Sequence, residues 1–170
     1  MKIIVQKFGG TSVADASVRE KVKDKVQQAI RNGYAPVVVV SAMGRKGAPY
    51  ATDTLINVLK EENLSVNVRE MDVMMCCGEI ISSCVMAACL QKFGFNAMAL
   101  TGGQAGIVTD SQFGAARIKN IKSSNLLRLL EAGIIPVVCG FQGVTENNSK
   151  FTTLGRGGSD TTAAALGAAL

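Results

Sequence analysis

A chain of 170 residues and 17.8 kDa, 48% hydrophobic, can bury one sizeable core without help from disulfides or metal. Eighteen glycines, three prolines and 5% aromatic residues exclude collagen-like and disordered classes. The net charge of +5 comes from 18 basic and 13 acidic residues scattered without a basic block or aromatic stripe, which excludes a nucleic-acid interface.

The first apolar run, Ile3 to Val5, predicts a strand that stops at Phe8-Gly9-Gly10-Thr11-Ser12. From Val18 the period changes: Val18, Val22, Val26, Ala29 and Ile30 share one helical face, with Ser12/Asp15 or Ser17/Glu20 as a capping box and Asn32-Gly33 as the stop. Val37 to Val40 is an unbroken β-branched run suited to a strand covered on both faces, ending in Ser41-Ala42-Met43-Gly44. An exposed loop from Arg45 to Asp53 follows, then a short helix through Leu55 to Leu59 and a polar connection from Glu61 to Val68.

Met71, Met74, Met75, Ile81, Val85, Met86, Cys89, Leu90 and Phe93 recur every three or four residues and predict a long helix closed by Gly94. Asn96 to Leu100 reads as a strand, Thr101 to Gly106 as a glycine turn into Ile107-Val108-Thr109, and Ile118 with Ile121 to Leu130 as a helix. Ile134 to Cys139 is another strong strand, with Pro136 tolerable near its start or at a sheet edge. Gly140 to Lys150 reads as a loop or hairpin, and Thr161 opens an alanine-rich helix that Ser159 or Asp160 would cap. Buried strands alternating with helices predict a three-layer α/β/α sandwich with a largely parallel sheet, in one domain spanning 1–170.

Four strand ends finish in small residues: Gly9-Gly10, Ser41 with Gly44, Gly102-Gly103, and Gly140 with the later Gly155 to Ser159. At the carboxyl edge of a parallel sheet such ends either punctuate turns or open a ligand cleft. Lys7 before Gly9-Gly10 is either a snorkelling surface lysine or an ammonium facing phosphate oxygens cradled by glycine amides. There is no Gly-x-x-x-x-Gly-Lys-Ser/Thr P-loop and no Gly-x-Gly-x-x-Gly after the first strand. Arg156, among glycines before a helix, offers a rigid fork to a carboxylate. Glu79 either forms a solvent-facing salt bridge or points into the cleft, where Gly78 permits close approach. With no histidine in the chain, histidine triads and histidine-ligated metals are ruled out. Cys76, Cys77, Cys84, Cys89 and Cys139 fit core thiols better than zinc ligands, and no metal-ligand residues are assigned. An odd number of cysteines, no secretory leader pattern, and no uninterrupted apolar run of roughly 18 residues predict a cytoplasmic protein with reduced thiols and no membrane partner.

Taken together, Lys7-Phe8-Gly9-Gly10-Thr11-Ser12, Val39 to Gly44, Cys77-Gly78-Glu79, Leu100 to Gly106, Gly140-Phe141-Gln142-Gly143 and Thr152 to Thr162 resemble the ordered signatures of aspartate kinases, within the amino-acid kinase superfamily. The resemblance extends over nearly the whole chain. Arg45 to Asp53 further resembles the diaminopimelate-responsive subgroup from endospore-forming bacteria. It implies the amino-acid kinase fold, and phosphoryl transfer from ATP, with Mg²⁺, to the β-carboxylate of L-aspartate, giving 4-phospho-L-aspartate for lysine, threonine and methionine synthesis.

On that resemblance Lys7, Gly9 and Gly10 match positions that contact the transferring phosphate. Ser41, Thr52, Glu79, Arg156 and Ser159 match positions around the amino acid, with Glu79 near its α-ammonium and Arg156 near a carboxylate. Asp160 matches an acidic residue that organises the site beside the catalytic Lys7. The acceptor carboxylate is ionised near neutral pH, so no general base is required. The resemblance also implies a truncated fold: the nucleotide-binding half and ACT regulatory domains of the family lie outside these residues, and the expectations are an inactive isolated chain and a homo-oligomer. Two alternatives remain at this point. One is a relative acting on glutamate, acetylglutamate, carbamate or a nucleoside monophosphate, which the Glu79–Arg156 pairing and the Gly-Arg-Gly-Gly-Ser-Asp block disfavour. The other is a catalytically silent binding or assembly module.

Overall fold

The computed structural model describes residues 1–146 and 150–170. Strands β1 (Lys2–Phe8), β2 (Tyr34–Val40), β3 (Ala97–Leu100) and β6 (Ile135–Cys139) form one four-stranded sheet in the order β1-β2-β6-β3, every pair of it parallel. Val37, Val38, Val39 and Val40 are completely buried, as the β-branched run predicts for a strand covered on both faces. Each such side chain contributes about 1.5–3 kcal/mol relative to exposure. Pro136 is the second residue of β6, an interior strand, so it is tolerated by being near the strand's start.

Helices cover both faces. Val22 and Val26 of α1 (Ala16–Arg31) and Met86 and Leu90 of α3 (Val68–Lys92) pack with Val38, Val40 and Val137 on one side. Leu126, Leu129 and Leu130 of α4 (Ser124–Glu131) and Leu166 of α5 (Gly158–Ala169) pack with Val37, Val39 and Val138 on the other. Successive valines of one strand therefore feed opposite cores, and the three-layer sandwich is as expected. The remaining helix, α2 (Thr52–Glu62), packs on α3.

A second sheet was not foreseen. It runs β5-β4-β7-β8, from β4 (Ile107–Thr109), β5 (Ile118–Ile121), β7 (Gln142–Thr145) and β8 (Phe151–Thr153). Only its β4–β7 pair is parallel. Ile118 and Ile121 thus belong to an antiparallel strand, and the helix that sequence spacing began at Ile118 starts instead at Ser124. The segment from Gly140 contains a hairpin of β7 and β8; residues 147–149 of it lie outside the described residues.

Two caps also differ from expectation. Asp15 alone caps α1, its carboxylate accepting from the Ser17 and Val18 amides. Gly157, in a left-handed conformation at φ 74°, is the N-cap of α5, so Ser159 and Asp160 lie inside the helix and cap nothing. Their side chains are thereby released for other contacts. Helix α3 is long and apolar enough, by length and composition, to cross a membrane. It carries Asp72 and Glu79 buried in this fold, however, and packs on β3, β6 and β8, as a core helix does.

Candidate functional site

Beyond the carboxyl ends of β1, β2 and β6 lies a cleft of about 550 Å³, where an open parallel sheet holds its ligands. Its wall includes Lys7, Gly10, Ser41, Thr52, Glu79, Arg156, Ser159 and Asp160. Gly9 is adjacent, since a Cβ there would sit 3.7 Å from the Lys7 Nζ. Residues from both ends of the sequence are thus gathered in one place. The Gly102-Gly103 end is not part of this wall: those glycines pack against Gln142 and Val144, so that cluster serves packing between the sheets.

Close backbone approach builds the floor. A Cβ on Gly10 would lie 2.5 Å from the Ala42 carbonyl oxygen and 2.6 Å from that of Gly44, so only glycine lets the β1 and β2 loops touch. The Gly44 amide donates to the Gly10 carbonyl at 2.9 Å. Gly78 does the same for α3, where a Cβ would fall 2.8 Å from that of Ala42. That contact brings Glu79 under the β2 loop.

Glu79 is 3% exposed. Its Oε1 accepts from the Ala42 amide at 3.0 Å, and its Oε2 has no partner among the described residues. Burial raises the Glu79 carboxyl to about 7, opposed in part by the Ala42 hydrogen bond. The solvent-facing salt bridge usual for a helical glutamate is not formed. One carboxylate oxygen is instead left for a donor entering the cleft.

Lys7 Nζ stands 3.0 Å from Asp160 Oδ1, with side-chain exposures of 28% and 74%. Ser41 Oγ donates to Ser159 Oγ at 2.9 Å, joining the end of β2 to the first turn of α5. Thr52 is the first residue of α2. Arg156 is exposed at the rim and has no ion-pair partner among the described residues.

Several wall residues were not picked out by sequence reasoning. Arg45, Lys46, Asp53, Met75 and Phe141 also line the cleft. Phe141 has φ 68°, a conformation costly for a bulky side chain. It is held there by its amide donating to Thr162 Oγ1 at 3.0 Å and by its carbonyl accepting from the Leu154 amide at 2.9 Å. Arg45, Lys46 and Asp53 were legible only as parts of a loop that resembles a family subgroup, Phe141 only as part of the Gly140 to Gly143 motif, and Met75 only as a core methionine. Among the described residues no group of three or more acidic or cysteine side chains could hold a metal ion.

The chain matches a family model described as the amino acid kinase family over residues 2–170. It is 52% identical over its whole length to Aspartokinase 1 of Bacillus subtilis and 48% identical to an aspartokinase of Geobacillus stearothermophilus, spanning 42% and 40% of those proteins. Aspartate kinase from Synechocystis superposes with a TM-score of 0.78 at 39% identity, covering 99% of this chain and 26% of that one. Aspartokinase III of E. coli, in complex with lysine and aspartate, superposes with a TM-score of 0.78 at 25% identity, covering 98% and 46%.

Proposed function

Since the chain belongs to the amino acid kinase family, we propose that its residues 1–170 form the amino-acid- and phosphate-holding part of an aspartate kinase, which transfers a phosphoryl group from ATP to the β-carboxylate of L-aspartate. The observation that carries this reading is Glu79. A buried carboxylate oxygen without a partner among the described residues, in the same cleft as the rim guanidinium of Arg156, suits a ligand bearing both an ammonium and a carboxylate.

In this reading Glu79 Oε2 accepts from the α-ammonium and Arg156 takes a carboxylate in its planar fork. Ser41, Ser159 and Thr52 supply hydroxyl contacts around the amino acid. Lys7, aimed by Asp160 at 3.0 Å, neutralises charge on the phosphoryl group beside the Gly9 and Gly10 amides. No side chain needs to remove a proton, because the acceptor carboxylate is already ionised. The chain's contribution is to hold two anions in line and to offset their charge. ATP brings its own divalent ion, since Mg²⁺ commonly rides on substrate phosphates with few protein ligands. A cytoplasmic location, for which the five free thiols speak, and a homo-oligomeric state belong to the same proposal.

Titration calorimetry with L-aspartate and L-glutamate tests the binding half of this reading. L-aspartate is expected to bind at least about tenfold more tightly, a difference of about 1.4 kcal/mol; equal affinities, or no binding of either, refute it. Replacing the matching segment of Bacillus subtilis Aspartokinase 1 with these 170 residues tests the transfer. The chimaera is expected to release ADP only when L-aspartate is present.

A further inference from the structure

Asp72 lies seven residues before Glu79 on α3, two helical turns and about 10 Å away on the same face. It is completely buried and forms no ion pair among the described residues. Its carboxylate is nevertheless fully engaged. The Gly114 amide donates to both oxygens at 3.0 Å, the Thr153 amide to Oδ2 at 2.9 Å and Thr153 Oγ1 to Oδ1 at 2.8 Å. A buried carboxylate survives on such terms only while its donors stay in place, so the constraint runs in both directions.

Those donors sit next to the rim of the cleft. Thr153 ends β8, three residues before Arg156, and its carbonyl accepts from the Ala116 amide at 2.8 Å. Gly114 lines the cleft and packs by its carbonyl oxygen under Gly155, 3.7 Å from where a Cβ would be. Between these anchors and α5, the turn Gly155-Arg156-Gly157 has both glycines at positive φ, 76° and 74°. Such a turn has little stiffness of its own. Its direction must be set by what holds its ends.

We propose that Asp72 is a positioning residue: by clasping Gly114 and Thr153 it fixes the root of the Gly155–Gly157 turn and so aims the Arg156 guanidinium into the cleft, without itself touching a ligand. The proposal deepens the aspartate-binding reading and rests on it for the ligand that Arg156 meets. One helix then carries, two turns apart, the group that receives the ammonium and the group that orients the guanidinium.

Two measurements on the 170-residue chain decide it. In Asp72→Asn, amide hydrogen exchange of residues 154–158 is expected to quicken at least about tenfold while residues 80–92 of α3 keep their protection. A rise shared by the whole chain, or no rise, overturns the proposal. Thr153→Val removes a single donor and is read in the same way should Asp72→Asn fail to fold. L-aspartate titration supplies the second readout, as a double-mutant cycle. Either variant is expected to weaken binding about tenfold when Arg156 is present and less than about twofold in an Arg156→Ala background; additive losses overturn the proposal. If the unmutated chain does not bind L-aspartate, the aspartate reading fails while the exchange experiment still decides the role of Asp72.

Discussion

The ammonium of Lys7 and the carboxylate of Asp160 meet at 3.0 Å, joining the first strand of the chain to its last helix at the mouth of the cleft. With Asp160 74% exposed, water screens the pair, and such pairs are worth at most about 1 kcal/mol. The contact therefore aims Lys7 more than it braces the fold. Lys7→Met is expected to change the unfolding free energy by less than about 1 kcal/mol, measured by urea denaturation. In the chimaera the same substitution is expected to lower the ADP-release rate by about 10²–10³-fold, as loss of a charge-stabilising donor does.

Glu79 makes stability and ligand binding depend on pH in opposite directions. Its carboxyl is raised from 4.5 to about 7 by burial, so the folded chain binds this proton more tightly than the unfolded chain. The buried carboxylate costs nothing below pH 4.5. It destabilises the fold progressively as pH rises to about 7, by roughly 3 kcal/mol in all. Glu79→Gln is expected to flatten that part of the stability–pH curve, seen in urea midpoints at several pH values. L-aspartate binding, by contrast, is expected to tighten as pH rises towards 7, because the ammonium selects the ionised form, and to lose this dependence in Glu79→Gln.

Gly9 and Gly10 are neighbours with different duties. A Cβ at Gly10 meets two backbone carbonyl oxygens at 2.5 and 2.6 Å, whereas at Gly9 the nearest atom is the flexible Lys7 Nζ at 3.7 Å. Gly10→Ala is expected to cost about 2–3 kcal/mol of stability, since two loops must separate. Gly9→Ala is expected to cost less than about 1 kcal/mol. Equal losses in denaturant unfolding would refute the assignment.

Thiol reactivity reports how α3, which carries Cys76 and Cys84, lies against β6, which ends at Cys139. Cys139 is buried, with its thiol pushed up to about 12 chiefly by desolvation, and burial raises the buried Cys76 as well. Cys84 on the same helix is exposed. An aromatic disulfide reagent at pH 8 is expected to modify Cys84 first, and Cys76 and Cys139 only after unfolding. Mass spectrometry of partly labelled protein identifies the order.

What the sequence disclosed was the part decided by local pattern. Val37 to Val40 announced a doubly covered strand because four β-branched residues in a row suit nothing else, and the long period from Met71 to Phe93 announced α3. Ile118 and Ile121 misled because three-residue spacing imitates a helix, while what makes them a strand is pairing with β4, which spacing within the segment does not show. Lys7, Ser41, Glu79, Arg156 and Ser159 were nameable as candidates, and they line one cleft. Ser159 and Asp160 were misjudged as caps because Gly157 adopts the cap geometry instead. Asp72 gave no signal, since its donors, the Gly114 and Thr153 amides and the Thr153 hydroxyl, lie 42 and 81 residues away, beyond the reach of any local spacing.

The structure of the chain with L-aspartate bound bears most directly on whether charges from the two ends of the segment converge on one ligand. The account predicts the α-ammonium within hydrogen-bonding distance of Glu79 Oε2, a carboxylate on the Arg156 fork, and the β-carboxylate facing Lys7. Aspartate seated elsewhere, or in the cleft without contact to either Glu79 or Arg156, contradicts it.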